Sequence, residues 1–563
     1  MMKKILCMLL AVVMAFGLVA CANSGNNGGA SNNGGDSVEG GSENKEPVTI
    51  TLYPTNANVT SGKVGGWLGD YLLSKGFILD IWAYSPEKMG AMLSSGNLPD
   101  ILYIPSGGDF ETISESGLLL DLDPYMDKLT NVGDSEQEIA QLNYVRDYVV
   151  SEGVMNLLPL GIGGETKKPT NAERKSIQIN WELYKQVGFP KFSNLEEFVD
   201  VLKQMKAIHP YNEDGSDCYG MHLFNSMDTS YFYGIYNVFG VTGHDIMELP
   251  YFLEIDYFNE SYDYILADDS EYKYGMKYLN TLYREKLLDP DSINTERAAQ
   301  HTMLESGGAL AGWAAVPGWS YGGYQHVYFD EYKAGYSVTP KLACSGACMG
   351  ISAQTQNLDA VLEFVNLMAD PDAVLVFQSG PKGEFWDVDE NGELFVTDKA
   401  IDWYVYGAPA KFSNGETFKL FNMEKLGSSN AITSYGCGAN MASHPTIHQI
   451  QDDTDEVREW KELYGAENMM ELTDGRILTA TFYDNVAGFC KRPTDDQSLI
   501  ISAAKDIIVN NSWRMVYAKT DAEFEAIWNE TVTDCEALGI KDIVSWRLDQ
   551  LEQAAQIRDS LAK

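Results

Sequence analysis

From residue 48 onward the apolar positions change period repeatedly, from two to 3.6 and back. "VTITLYP" at 48–54 alternates like a strand and runs into a loop, "TNANVTSGK". "VGGWLGDYLLSKG" then has helical spacing, and "FILDIWAYS" predicts a second strand. Pro86 opens the helix "PEKMGAML", whose Met89, Met92 and Leu93 share one face. "SSGNLPDILYIPSGGDF" follows, with "ILYI" as its strand. Strands separated by helices of this length imply βαβ units and a parallel sheet covered on both faces.

Further on, helices dominate. In "FSNLEEFVDVLKQMKAIHP" Ser193 and Glu196 have capping-box spacing, and Leu195, Phe198, Leu202 and Met205 recur at helical intervals. "YKYGMKYLNTLYREKLLDP" is a helix stopped by Pro290, and "NLDAVLEFVNLMADP" one stopped by Pro371. "TDAEFEAIWNETVTDCEALG" starts on a Thr520/Glu523 capping box. No internal repeat stands out.

The N-terminus follows other rules. Lys3 and Lys4 precede the apolar run "ILCMLLAVVMAFGLV", which is too short and wrongly flanked for a stable membrane span. It ends at Leu18-Val19-Ala20-Cys21, which resembles the bacterial lipobox, where the cysteine is lipidated and becomes the first mature residue. A Gly/Asn/Ser-rich tract follows, too polar to offset its own chain entropy. The expectation is a signal peptide at 1–20, a lipid anchor at Cys21 and a flexible tether at 21–46. No later apolar run reaches span length; the nearest, "GALAGWAAVPGW", is interrupted by Pro317.

At 563 residues the chain exceeds one hydrophobic core, so at least two domains are expected. Lys and Arg number 40 against 81 Asp and Glu, a net charge of −41 that repels phosphate backbones and argues against nucleic acid as a partner. Of eight cysteines, Cys218, Cys344, Cys348, Cys437, Cys490 and Cys535 lie beyond the anchor. Their spacing is irregular, and most are expected to be free buried thiols, although export would permit disulfides.

Taken in order, several stretches resemble the extracellular solute-binding proteins of carbohydrate ABC transporters, in particular their large lipoprotein branch. They are "MLSSGNLPDILYI", "SESGLLLDLDPYMDKL", "INWELYKQVGFPKFSNLEEFVDVLKQMK", "MKYLNTLYREKLLDPDS", "GISAQTQNLDAVLEFVNLMADPD", "GEFWDVDENGEL" and "FEAIWNETVTDCEALGIKDIV". The resemblance covers most of residues 48–563. It implies an α/β fold of the periplasmic-binding-protein-like type II: two α/β lobes joined by crossing strands, with a ligand cleft and a hinge. The implied N-terminal lobe is 47–160 plus 345–376, and the implied C-terminal lobe 161–344 plus 377–563. The crossings fall near 158–164, 341–350 and 377. The implied partners are a carbohydrate ligand, permease subunits and, through Cys21, the membrane. The protein is expected to be a monomer on the extracytoplasmic face of the cell membrane, with no cofactor and no catalytic residue.

A neutral sugar presents flat C–H faces to aromatic rings and hydroxyls to Asp, Glu, Asn and backbone groups. The candidates therefore come from loops that the resemblance places at the cleft. They are Asn56 and Asn58 after the first strand, and Ser106, Gly107 and Asp109 after "ILYI". Trp313 and Trp319 lie in "GWAAVPGWSYG", and Glu384 and Trp386 in "KGEFWD"; Trp67, Tyr84 and Tyr435 complete the set. Trp181 is read as structural.

Other motifs are set aside. "GWSYG" matches the hydrolase elbow around Ser320, but Pro317 spoils the strand an elbow needs. "DVDENGELFVTD" places Asp387, Asp389, Asn391, Gly392 and Asp398 at calcium-loop spacing, yet ends on Asp where a bidentate Glu is usual, and reads as a hairpin turn. "YNEDGSDCYG" at 211–220 is a weaker calcium candidate. His444, His448 and Asp452 could share a helix face but lack the further ligand zinc needs. The rival readings are a surface-anchored glycoside hydrolase and a binder of peptides or other small solutes.

Overall fold

The strand expected at 48–54 forms as Val48–Tyr53 and lies inside a six-stranded sheet. The computed structural model describes residues 46–561, apart from segments 55–59, 105–109, 163–175, 226–232, 313–321, 337–346 and 419–425 and residues 134, 151–152, 430, 452–453, 468, 474, 480–481 and 484–485. The chain divides into Met1–Glu46, which except for Glu46 lies outside those residues, and Pro47–Lys563. Cys21 and the expected signal peptide and tether are therefore not described.

In the main sheet the strand order is Gly62–Lys63, Phe77–Ile81, Val48–Tyr53, Ile101–Ile104, Cys348–Ile351 and Leu158–Pro159. The three strands Phe77–Ile81, Val48–Tyr53 and Ile101–Ile104 run parallel, as βαβ spacing predicts, with Ile50 opposite Leu79 and Leu52 opposite Ile101. The sheet is nevertheless mixed. Gly62–Lys63, Cys348–Ile351 and Leu158–Pro159 each join antiparallel to their neighbours. Both faces are covered. Ile50, Leu52, Tyr103 and Met349 pack with Leu68, Leu72 and the helix Leu358–Ala369 on one side. Leu102, Ile104, Tyr53 and Cys348 pack with Met92 on the other, where Met89 and Leu93 join as their shared face predicts. Asp100 ties the start of the sheet together. Its carboxylate accepts from the Thr51 amide at 2.8 Å, the Thr51 hydroxyl at 2.6 Å and the Thr355 hydroxyl at 2.6 Å.

A second, larger core collects the helices Leu195–Ile208, Glu271–Arg284, Asp495–Val516 and Asp521–Ala537. The antiparallel pair Ile177–Asn180 and Tyr324–Val327 packs into it. Leu195, Phe198, Leu202 and Met205 all face inward, each full burial contributing roughly 1.5–3 kcal/mol. The cap differs from the expected Ser193/Glu196 pair by one residue: Asn194 accepts from the Glu197 amide at 3.0 Å, and Glu197 in turn accepts from the Ser193 amide at 2.7 Å. Thr520 caps its helix as expected, accepting from the Glu523 amide at 3.1 Å. Trp181 is structural, 2% exposed, with its indole donating to Glu459 at 3.0 Å.

Residues 374–447 pack with the first core. Val374, Leu375, Phe385, Trp386, Phe412, Phe418 and Met441 form a cluster that shares Trp67 with it. Ser434 hydrogen-bonds Asp372 through both amide and hydroxyl, and the Gly427 amide donates to Met368 O at 3.0 Å. This packing follows the apolar faces of the helices Leu358–Ala369 and Pro371–Ser379. Cys218, Cys437, Cys490 and Cys535 are free thiols; Cys344 lies outside the described residues. Among the described residues no helix is long and apolar enough to cross a membrane.

Candidate ligand-binding site

The parallel strands end on one edge of the main sheet, where loops and helix N-termini converge. Tyr53 closes its strand with a buried ring, and its hydroxyl donates to Ser85 O at 2.6 Å and accepts from the Ser85 amide at 3.0 Å. Burial pushes that phenol's pKa up, against the bond from the Ser85 amide, which favours the phenolate. Ser85 also caps the helix Pro86–Ser95, accepting from the Lys88 amide at 3.2 Å. These bonds fix the loop Trp82–Ser85 that leaves the strand Phe77–Ile81. Tyr84 thereby stands half-buried with its ring 5.7 Å from Tyr53. Trp82 is half-buried beside it, with the Lys88 ammonium 5.9 Å from its ring centre. The edge offers aromatic faces next to backbone polar groups, which suits a ligand that is apolar on its faces and polar on its rim.

Tyr84 is the described candidate at this edge. Asn56, Asn58, Ser106, Gly107, Asp109, Trp313 and Trp319 lie outside the described residues, as does Ser320. The remaining candidates meet around the 374–447 cluster. Trp67 is half-buried against Phe412 at 5.8 Å and Phe418 at 5.5 Å. Trp386 is a core residue: it is 3% exposed, its indole donates to Gly380 O at 2.8 Å, and its ring lies 5.7 Å from that of Tyr435. Such a ring has no open face for a ligand, which corrects its reading as a stacking platform. Glu384 is likewise committed. It accepts from Lys399 Nζ at 2.7 Å, the Ser413 amide at 2.9 Å and the Ser413 hydroxyl at 3.1 Å. Burial works against its charge, and those bonds win, holding its pKa below the usual carboxylate range.

The strand expected over "FILDIWAYS" ends at Ile81, which leaves both Trp82 and Tyr84 in the segment after it. The expected hairpin forms from Trp386–Val388 and Leu394–Val396, with Asp389 accepting from the amides of Asn391 and Glu393 at 2.8 Å each. His444 precedes the helix Pro445–Gln451 and accepts from the Thr446 amide at 3.3 Å; Asp452 is outside the described residues. Among the described residues no group of three His, Cys, Asp or Glu side chains is placed to hold a metal ion.

The family model described as bacterial extracellular solute-binding protein matches residues 83–375. The chain belongs to this family. No curated protein matches the solute-binding protein by sequence. Its fold is that of an HMO-binding, ABC-transporter-associated solute-binding protein from Bifidobacterium longum infantis, with a TM-score of 0.60 at 16% identity over 91% of this chain and 99% of that one. It is likewise similar to the S. pneumoniae ABC-transporter substrate-binding protein FusA, in complex with kestose, with a TM-score of 0.57 at 14% identity over 91% and 100% of the two chains. The N-glycan transport solute-binding protein NgtS from Streptococcus pneumoniae gives a TM-score of 0.52 at 15% identity over 91% and 99%. In the solute-binding protein the family match takes in Tyr84 and the segments 105–109 and 313–321, and stops short of Glu384, Trp386 and Tyr435.

Proposed function

We propose that this solute-binding protein captures a carbohydrate, most simply an oligosaccharide, and hands it unaltered to the permease of an ABC transporter. The supporting observation is the likeness of fold, over nearly the full length of each partner, to an HMO-binding protein, to FusA in complex with kestose and to an N-glycan transport protein. On this reading the molecule has two lobes. One is built on the main sheet and includes 348–447, and the other is built on the helical core of 176–336 and 454–561. The ligand lies at the strand edge beside Tyr84 and Trp82, with Asp109 and Trp319 proposed as further contacts. Cys21 is the lipid anchor, and the protein works as a monomer outside the cell membrane.

Calorimetry with a panel of neutral oligosaccharides and peptides tests this. At least one oligosaccharide is expected to bind, to raise the melting temperature and to be recovered intact. Heat from peptides alone would reject the carbohydrate reading, and sugar cleavage would replace the receptor by a glycoside hydrolase. Trp82→Ala is expected to weaken sugar binding about tenfold or more, on the scale of one lost aromatic platform.

A further inference from the structure

The segment Met221–Asn225 is laced to residues 287–295. The Met221 amide donates to Leu287 O at 2.9 Å, the Leu223 amide to Ser292 Oγ at 3.1 Å and the Asn225 amide to Thr295 O at 2.8 Å. Met221 and Leu223 belong to the larger core. His222, between them, is 4% exposed, and Gln300 of the helix Arg297–Glu305 is 1% exposed. The two residues touch: Gln300 Nε2 donates to the His222 carbonyl at 2.6 Å.

Each keeps one polar atom to spare. His222 Nε2 and Gln300 Oε1 are both out of solvent, and neither has a hydrogen-bond partner among the described residues. The bonds that the two side chains do make settle the character of these atoms. His222 Nδ1 lies 2.9 Å from Asp289 Oδ2. Burial works against the Asp289 charge, but His222 and the Asp291 amide, which donates to the other oxygen at 2.9 Å, hold its pKa below the usual carboxylate range. An ionised carboxylate only accepts, so the proton on that edge of the ring belongs to Nδ1. In the neutral imidazole Nε2 then carries a lone pair. Gln300 is fixed in the same way. Turning its amide over would set Oε1 against the His222 carbonyl, oxygen against oxygen, so Oε1 is the atom left over. Two buried acceptors thus belong to two touching residues. Neither can satisfy the other, and burying them unpaired is costly.

Such a pair calls for a donor of two hydrogens. One imidazole nitrogen and one amide oxygen are too few ligands for a metal ion. Water has the right chemistry, since a buried water typically makes about three hydrogen bonds to groups that otherwise lack them. We propose that His222 Nε2 and Gln300 Oε1 hold an internal water, which donates one hydrogen to each and completes the polar lacing between the segment Met221–Asn225 and the helix Arg297–Glu305. This water serves the fold, whichever ligand the protein carries.

A crystal structure of the full chain, at a resolution that shows ordered water, tests the site. Density for one water is expected within about 2.7–3.2 Å of both atoms. In crystals of His222→Phe that density should be lost while the backbone of Met221–Asn225 stays in place. Nitrogen-15 spectra of histidine-labelled protein at about pH 8, above the ordinary histidine range, should show for His222 a protonated Nδ1 and an unprotonated Nε2, with His222→Phe assigning the signals. No water at the pair, either atom bonded to a protein group instead, a protonated Nε2, or a water that persists in His222→Phe would each overturn the site. Should His222→Phe fail to fold, the wild-type density still decides.

Discussion

Glu254 carries a carboxyl into the interior, where it is 2% exposed. It caps the helix Glu271–Arg284 from a neighbouring strand, accepting from the amides of Glu271 at 2.8 Å and Tyr272 at 3.0 Å. Burial pushes its pKa up to about 8; the two amide bonds pull it down, and the charges of Glu271 and Asp263 add to the rise. An acid with a raised folded pKa binds its proton more tightly in the native state. Its stabilising contribution is complete below about 4.5 and is lost as pH rises to about 8, a span of roughly 3–5 kcal/mol. Urea midpoints measured from pH 5 to pH 8 should therefore fall in the wild type and fall less in Glu254→Gln. Parallel slopes for the two proteins would refute this. Nothing in the sequence marked Glu254, because its burial depends on elements 17 and 18 residues away. The same limit explains the candidate site. Trp82 and Tyr84 both lay inside the expected strand "FILDIWAYS", whose end was misplaced by a few residues, and Trp386 was chosen from a motif that carries no information on burial.

Among the elements, period and punctuation located the helices and the central parallel strands well. Strands of two to four residues, such as Leu158–Pro159 and Cys348–Ile351, owe their existence to pairing with distant segments, and their direction had no local signature. The start of the helix Leu195–Ile208 shows how close local alternatives compete. Ser193 and Glu196 have capping spacing, and so do Asn194 and Glu197. Starting at Leu195 buries that side chain to 1% and makes Asn194 the cap. Asn194→Ala should consequently cost about 1 kcal/mol of stability, the usual worth of a side-chain cap. Ser193→Ala should stay within about 0.5 kcal/mol, since the exposed Ser193 hydroxyl reaches only Asp330 at 3.3 Å. Denaturant titrations that rank the two losses the other way round would return the cap to Ser193.

At the scale of the whole molecule the net charge of −41 dominates. The packing of 374–447 against the first core was not legible in the sequence, because it turns on which face of two helices stays apolar. The charge, by contrast, is plain from composition, and its consequence follows from magnitudes. Surface pairs such as Lys128–Asp359 at 2.9 Å are exposed on both sides and contribute little. The Arg547–Glu248 pair lies too deep for salt to screen. What salt can act on is the repulsion among unpaired carboxylates, which disfavours the compact state. Raising sodium chloride from 0.01 M to 0.3 M shortens the screening length from about 30 Å to less than about 10 Å. The repulsion is damped more than the few surface attractions, so the melting temperature should rise by about 1–2 °C, corresponding to roughly 1–2 kcal/mol for a chain of this length. Chloride is the appropriate anion, because sulfate also strengthens apolar burial and would raise the melting point for a different reason. A melting temperature that falls along the chloride series would mean that the surface pairs outweigh the repulsion, and that the acidic excess is held in compensated clusters rather than spread over the surface.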